Sequence, residues 1–516
     1  MQLGFVIDQS RCIGCHACTV ACKAENDVPL GSFRTWVKYT ETGHFPEVRR
    51  TFGVLRCNQC SAAPCVEICP VTALYKRDDG IVDVDHNVCI GCKGCMQACP
   101  YDALYINEGT GTAEKCHFCA HRTELGMAPA CAVVCPTEAI IPGDFHDPES
   151  VVSRMRKDER LSSRKTEAGT GPNVYYRDAH DSVLVPTQTS GAGGYIWSDR
   201  PDTLQVRAEM DEAGHAAEGD LISRAEERAS SRTVYDTRKP LLWGRKVSAY
   251  LWTKSISAGV FIAGAVAGLS AGASAWTAAA ALFFLMVTTA LLVGDLKRPE
   301  RFLLILRRPN WSSWIARGSI ILTAYGALLS LWLALLVFGV DAPGAGNGML
   351  SIVTGVAGAL TAIYTAWLFA QAKGRPLWMK RGFAMHLLAQ ALVAGCSLLF
   401  VMHAVIGFEM PTGGWARFLF QLGLAGHLGM ILLEGRMAPK KREREYARAA
   451  RLLSHGTLFR RDHWVFGVGV GIFAPLVLLA FPAAPWAWAA AGVAALVGLY
   501  FEEDSFVRAG QAIPIS

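Results

Sequence analysis

After Cys135 the chain carries a single further cysteine, Cys396; the other sixteen all lie in the first 135 residues. Charge is scarce as well. Only 18% of the 516 residues are charged against 51% that are hydrophobic, an average that describes neither half of the chain. Lys and Arg are missing from residues 271–275, 339–348, 408–414 and 482–484. No nucleotide fingerprint, P-loop or hydrolytic triad occurs, which removes the common nucleotide-driven and acyl-transfer enzymes from consideration. Met1–Gln9 holds neither a twin arginine nor an apolar core segment, so no secretory leader is expected. The net charge of +6 does not gather on one soluble face; its basic residues sit between apolar runs, as membrane flanks do, and nucleic acid is not an expected partner.

The cysteines fall in four groups of four: Cys12, Cys15, Cys18, Cys22; Cys57, Cys60, Cys65, Cys69; Cys89, Cys92, Cys95, Cys99; and Cys116, Cys119, Cys131, Cys135. Each opens with C-x2-C and closes with C-x3-C, and Pro70, Pro100 and Pro136 follow three of them. Such spacing is the ligand pattern of bacterial-type ferredoxins, in which the fourth Cys of a group serves another cluster. Disulfide staples do not explain so regular a pattern. Zinc also uses paired C-x2-C units, but gives no reason for the C-x2-C-x2-C triplets at Cys12–Cys18 and Cys89–Cys95. Sixteen thiolates at four per centre imply four [4Fe–4S] clusters. Cys396, alone among Ala394, Gly395 and Leu398, reads as a buried small hydrophobe.

Composition divides the chain into an α+β, ferredoxin-like iron–sulfur domain at 1–190, a linker at 191–240 and an all-α polytopic membrane bundle at 241–516. The linker is rich in Gly, Ser, Asp, Glu and Arg, with one short charged helix expected around 221–232. In the C-terminal part about eight transmembrane helices are expected, at 248–270, 276–294, 314–338, 349–371, 384–407, 415–434, 464–481 and 485–501. Glycines such as Gly259, Gly264, Gly355 and Gly358 let helices approach closely.

Loop charges orient this bundle. Basic residues collect before the first span, in the second loop (Lys297, Arg298, Arg301, Arg307, Arg308), in the fourth (Lys373, Arg375, Lys380, Arg381) and in the sixth, where nine lie between Arg436 and Arg461. The four intervening connections have none. By the positive-inside rule the basic loops are cytoplasmic, and the iron–sulfur domain, attached on that side, faces the cytoplasm from an inner (cytoplasmic) membrane.

A one-electron carrier joined to a membrane bundle points to quinone as its exchange partner, and ionisable side chains within the bundle become candidates for moving the accompanying protons. They are His427, Lys254, His386, Asp295 and Glu434. Each has a plainer reading, since residues near helix ends often snorkel to the interface. His403 lies toward the opposite face. A bis-histidine haem on His386 and His427 is conceivable, but no haem is expected.

Residues 1 to about 185 resemble the electron-transfer subunit of the dimethyl sulfoxide reductase family of complex iron–sulfur molybdoenzymes. The resemblance rests on the four Cys groups, Cys57-Asn58-Gln59-Cys60 with Pro64-Cys65, and Gly143-Asp144 before Asp147-Pro148. Residues from about 243 resemble the polysulfide reductase and dimethyl sulfoxide reductase membrane anchors, through Ser257-Ala258-Gly259, Asp295-Leu296-Lys297-Arg298-Pro299, and His455-Gly456 with Trp464. The chain thus looks like a fusion of two subunits. The resemblance implies crossed ligation: Cys12, Cys15, Cys18 with Cys135; Cys22 with Cys116, Cys119, Cys131; Cys57, Cys60, Cys65 with Cys99; Cys69 with Cys89, Cys92, Cys95. Two departures are visible: Lys23 stands where a proline is usual, and eleven residues separate Cys119 from Cys131, a loop that either meets a partner or is padding. No motif identifies a molybdenum site, so substrate catalysis is expected on a separate molybdopterin catalytic subunit. The expected role is electron transfer between that subunit and the quinone pool, in a cytoplasm-facing sulfite-dehydrogenase-like complex. The alternatives are a sulfoxide, N-oxide, polysulfide or thiosulfate reductase, or an ion-translocating quinone-linked complex. Against the last, the outer half of the bundle offers only His403, Glu409 and Arg417.

Overall fold

A computed structural model of the protein describes every residue except 44–45, 158–160, 187–188, 191–230, 238–241, 339–347, 409–413, 481–484 and 514. The chain forms two compact units. The first comprises Met1–Leu242 with Gln371–Arg375 and Gln511–Ser516; the second comprises Trp243–Ala370 and Pro376–Gly510.

In the first unit a four-stranded sheet has the order Ile140–Asp144, Leu3–Asp8, Val174–Arg177, Leu161–Ser162. Leu3–Asp8 pairs parallel to Val174–Arg177 and antiparallel to Ile140–Asp144. Its consecutive Phe5, Val6 and Ile7 are all fully buried, as a strand covered on both faces requires. A second sheet runs Thr189–Ser190, Ser231–Tyr235, Thr35–Thr42, Arg49–Arg56. Here the expected linker needs correction at its end. Ser231–Tyr235 is a strand, antiparallel to Thr35–Thr42, so Ser231 and Arg232 do not belong to the charged helix expected there. The rest of that helix lies outside the described residues. Composition misled because Glu41, on the partner strand, takes up the charge of Arg232 at 2.7 Å.

The cysteine groups share a local design. Gly14 and Gly91, inside the two triplets, have φ of 72° and 66°, and His16 and Lys93 follow with 61° and 64°. Left-handed steps of this kind curl the backbone around the thiols; glycine takes them freely and other residues at a cost. Short helices then begin: Ala17–Glu25 holds Cys18 and Cys22, Gly94–Ala98 holds Cys95, Pro64–Ile68 holds Cys65 and Ala130–Val133 holds Cys131. Cys69 and Cys99 occupy the C-terminal caps of the Pro64 and Gly94 helices, and each leads into a small hairpin, Leu74–Lys76 with Val82–Val84 and Leu104–Asn107 with Thr112–Lys115.

The second unit is helical. Five helices are long and apolar enough to cross a membrane: Arg245–Ala267, Gly272–Gly294, Trp314–Val337, Met349–Gln371 and Phe383–Ile406. Three further helical stretches follow: Trp415–Leu432; a wide π-helical run Arg461–Phe473 continued by Ala474–Leu478; and Pro485–Ala512. Glycine contacts draw the helices together. A Cβ on Gly259 would stand 1.8 Å from the Ala391 carbonyl oxygen, and one on Gly498 would stand 2.1 Å from the Gly471 Cα. Backbones this close exclude any larger residue.

Candidate metal centres and membrane site

All sixteen clustered cysteines lie in the first unit, and none is disulfide-bonded. Cys22, Cys116, Cys119 and Cys131, from three separate stretches of sequence, line one cavity together with Arg56, Arg34, Asn26 and His117. Cys57, Cys60, Cys65 and Cys99 line a second, whose other walls are Asn58, Tyr101 and apolar side chains such as Val82 and Leu104. The remaining eight thiols also meet across groups. Cys12 stands against Cys135 and Cys15, and Cys92 against Cys69 and Cys89. Neighbouring sets touch in sequence: Cys18 faces Cys131, Cys116 faces Cys57, and Cys95 faces Cys65. The four sets therefore stand in a row.

Burial is the main influence on these thiols. It pushes Cys18 up to about 11, with the Cys131 thiolate adding repulsion and the Arg56 guanidinium opposing. Cys116 also rises to about 11, and Cys92 and Cys99 to about 12, again chiefly through burial. Burial works upward on Cys135 too, but hydrogen bonds from the backbone, including the Ala139 N–H at 3.3 Å, pull it below the usual thiol range. Four buried thiols converging without oxygen or imidazole donors suit a soft metal centre, and ligation supplies the positive charge that stabilises thiolates there. The donor sets fit [4Fe–4S] clusters.

Polar donors are placed unevenly. The Arg56 guanidinium, 1% exposed, donates from Nη1 to the Cys131 sulfur at 3.3 Å. Asn26 Nδ2 approaches the sulfurs of Cys22 and Cys119 at 3.8 and 3.9 Å. Arg34 holds Asn26 Oδ1 at 3.2 Å and is itself paired with Glu114 at 3.0 Å. None of this is visible from cysteine spacing.

Within the second unit, His386 on the Phe383–Ile406 helix and His427 on the Trp415–Leu432 helix are both buried, with Nε2 and Nδ1 2.8 Å apart. Glu502 joins them. One donor atom from each of the three lies within 4.8 Å of the others. Gln390 Nε2 donates to Glu502 Oε2 at 2.7 Å. Glu434 is buried as well, ion-paired with Lys380 at 2.8 Å and covered by Tyr446, whose hydroxyl donates to the Glu434 carbonyl. Lys254 does not snorkel: it is 0% exposed and donates to the Ala362 carbonyl at 2.7 Å and to Thr365 Oγ1 at 2.6 Å. Asp295 caps the C-terminus of the Ala271–Gly294 helix, half-buried, and does not belong to the His386 cluster. The expected residues thus separate into a His386–His427 pair, a Lys380–Glu434 pair and a buried Lys254 apart from both. Glu502 and Gln390 were not among the expected residues, because the apolar run of the last span ends at residue 501. Three acids in a row, Glu502, Glu503 and Asp504, at the edge of that run were the available signal.

Three family models match the protein: a 4Fe-4S binding domain over residues 3–24, a 4Fe-4S dicluster domain over 48–145, and the polysulphide reductase NrfD family over 233–514. Among curated relatives, an iron–sulfur-type subunit of the tetrathionate reductase of Salmonella typhimurium is 45% identical over 189 residues, covering 36% of this chain and 76% of the relative. A putative dimethyl sulfoxide reductase iron-sulfur subunit of Halobacterium salinarum is 42% identical, over 42% of this chain and 88% of its own. A polysulfide reductase polypeptide of Wolinella succinogenes is 38% identical, over 37% and 97%. The iron–sulfur relatives cover the N-terminal part, and the NrfD match covers the rest. Both halves of the fusion are accounted for.

Proposed function

Since this polypeptide belongs to the polysulphide reductase NrfD family and also carries a 4Fe-4S dicluster domain, we propose that it connects a molybdopterin catalytic subunit to the membrane quinone pool. Four [4Fe–4S] clusters are assigned to the four crossed cysteine sets, and when bound they supply one-electron redox chemistry. The observation that carries the reading is the convergence of cysteines from distant stretches into single cavities, in a protein that also has membrane-length helices. What its own residues do follows from chemistry. The cysteines fix the clusters in a row, and the bundle binds quinone. His427, His386, Glu434 and Lys254 exchange the protons that quinone reduction consumes, with Glu502 joining the two histidines; Asp295 stands apart as a weaker candidate.

The bundle is read as eight spans, five from helices of full membrane length and three from the stretches Trp415–Leu432, Arg461–Leu478 and Pro485–Ala512. Clean alternation of basic and uncharged loops supports this number and a cytoplasmic iron–sulfur domain in the inner membrane. That orientation favours a cytoplasm-facing sulfite-dehydrogenase-like complex, with electrons running from sulfite to quinone. Inside-out vesicles from cells expressing the complex should then reduce quinone with sulfite, while right-side-out vesicles should not. Sulfite-independent quinol oxidation by tetrathionate, polysulfide, thiosulfate, a sulfoxide or an N-oxide would instead establish the reductase reading, which the names of the relatives favour. An ion-translocating role needs ionisable groups through the full depth of the bundle, and the buried ones described above gather in the half facing the basic loops.

A further inference from the structure

Arg56 ends the strand Arg49–Arg56 immediately before Cys57, yet its side chain turns away from the Cys57 set. It lies over the Phe5 ring, 4.3 Å from the centroid, and reaches the Cys131 sulfur at 3.3 Å. Its charge also faces Cys116 and Cys18. Among the described residues its Nε and Nη2 meet no protein acceptor, although both are buried. A buried guanidinium with two idle donors is costly unless an anion stands beside it. The row of thiolates is the anion within reach.

The neighbouring set is different. Around Cys57, Cys60, Cys65 and Cys99 the nearest cation is Lys115, and its ammonium is engaged by the carbonyls of Val82 and Cys116. No guanidinium lines that cavity among the described residues. One set thus receives a charge-assisted donor at Cys131 and the approach of Asn26 at Cys22 and Cys119. The next receives mostly apolar walls.

We propose that Arg56 is a positioning residue that raises the reduction potential of the cluster held by Cys22, Cys116, Cys119 and Cys131 above that of the cluster held by Cys57, Cys60, Cys65 and Cys99. The inference rests on the assignment of clusters to those two sets. Its physical basis is that one-electron reduction adds negative charge at the sulfurs, and a fixed cation hydrogen-bonded there stabilises the more negative form. The row is then a sequence of unequal sites, with an electron held longest at the Arg56 end. A purely structural Arg56, filling space against Phe5, leaves the individual potentials where they are.

The test is a redox titration of the full chain, purified anaerobically, followed by electron paramagnetic resonance. Iron and labile sulfide are measured first, so that failure to load clusters, which would sink the cluster assignment itself, is seen separately. In Arg56→Gln one signal should become harder to reduce by about tenfold or more, which is about 59 mV for a one-electron couple. The other three should hold, and Arg56→Lys should recover part of the shift. Four unchanged potentials in a fully loaded Arg56→Gln protein overturn the proposal. If that variant does not load, the unsubstituted protein labelled with ¹⁵N-arginine decides. Hyperfine coupling from arginine nitrogen in a cluster signal, lost in Arg56→Lys, upholds the contact; its absence from every signal overturns it.

Discussion

His386 Nε2 and His427 Nδ1 stand 2.8 Å apart on two different helices, both rings buried, with the Glu502 carboxylate in the same cluster. One ring nitrogen donates and the other accepts, so the pair can hand on a proton without either ring carrying charge for long. Replacing His427 with Ala should slow electron exchange with a quinone analogue by as much as about 10²–10⁴-fold, the usual contribution of positioned proton transfer. Cluster content and potentials should be untouched, since all sixteen clustered cysteines lie in the other unit. A parental rate would make the pair a packing contact and move attention to Lys254.

Metal analysis addresses the cysteine sets. The anaerobically purified protein should hold about sixteen irons and about sixteen labile sulfides. Stoichiometric zinc with no reduced-state paramagnetic signal is the opposing result. Substituting Cys99 with Ser should remove the cluster of Cys57, Cys60 and Cys65 while sparing that of Cys69, Cys89, Cys92 and Cys95; loss of the latter alone would reverse the crossed assignment.

Topology has its own check. A reporter fused after Ser516 should be active in the cytoplasm, and one inserted near Asn347 active only outside, because the basic loops collect on one side. The reverse pattern would remove cytoplasmic sulfite oxidation from consideration.

The strand Ser231–Tyr235 should respond to acid. Hydrogen bonds from Arg50, then from Arg232, hold the Glu41 carboxyl below its ordinary value of 4.5, despite its burial. A carboxylate depressed in the folded state contributes stability above its unfolded pKa and loses it as pH falls through the folded one. Amide exchange across Ser231–Tyr235 should therefore accelerate below about pH 4.5, and Glu41→Gln should show the fast rate at neutral pH. The change should be small, about 1 kcal/mol or less, because both arginines are substantially exposed. Acid-independent exchange in the parental protein would rule out the clamp.

Much of this architecture was legible because its determinants are local. C-x2-C spacing, the glycines inside the triplets and the prolines after the groups are short-range signals, and the apolar runs of the bundle are long enough to stand out. What stayed hidden depends on contacts between residues far apart in sequence. Arg56 reads as an ordinary strand residue until Phe5 and Cys131 surround it. Lys380 reads as one basic loop residue among several until Glu434 is found buried against it. Ser231–Tyr235 reads as linker because its composition is polar, and pairing with Thr35–Thr42 overrides that composition.

The central claim is that one polypeptide carries electrons between its clusters and quinone. The direct measurement is to reduce the anaerobic, detergent-purified protein, mix it with a soluble quinone analogue and follow the cluster signals. The account predicts that the signals vanish as quinol accumulates, each quinol accounting for a pair of electrons lost from the clusters. Signals that persist in the presence of quinone, while an inorganic oxidant abolishes them at once, would contradict it.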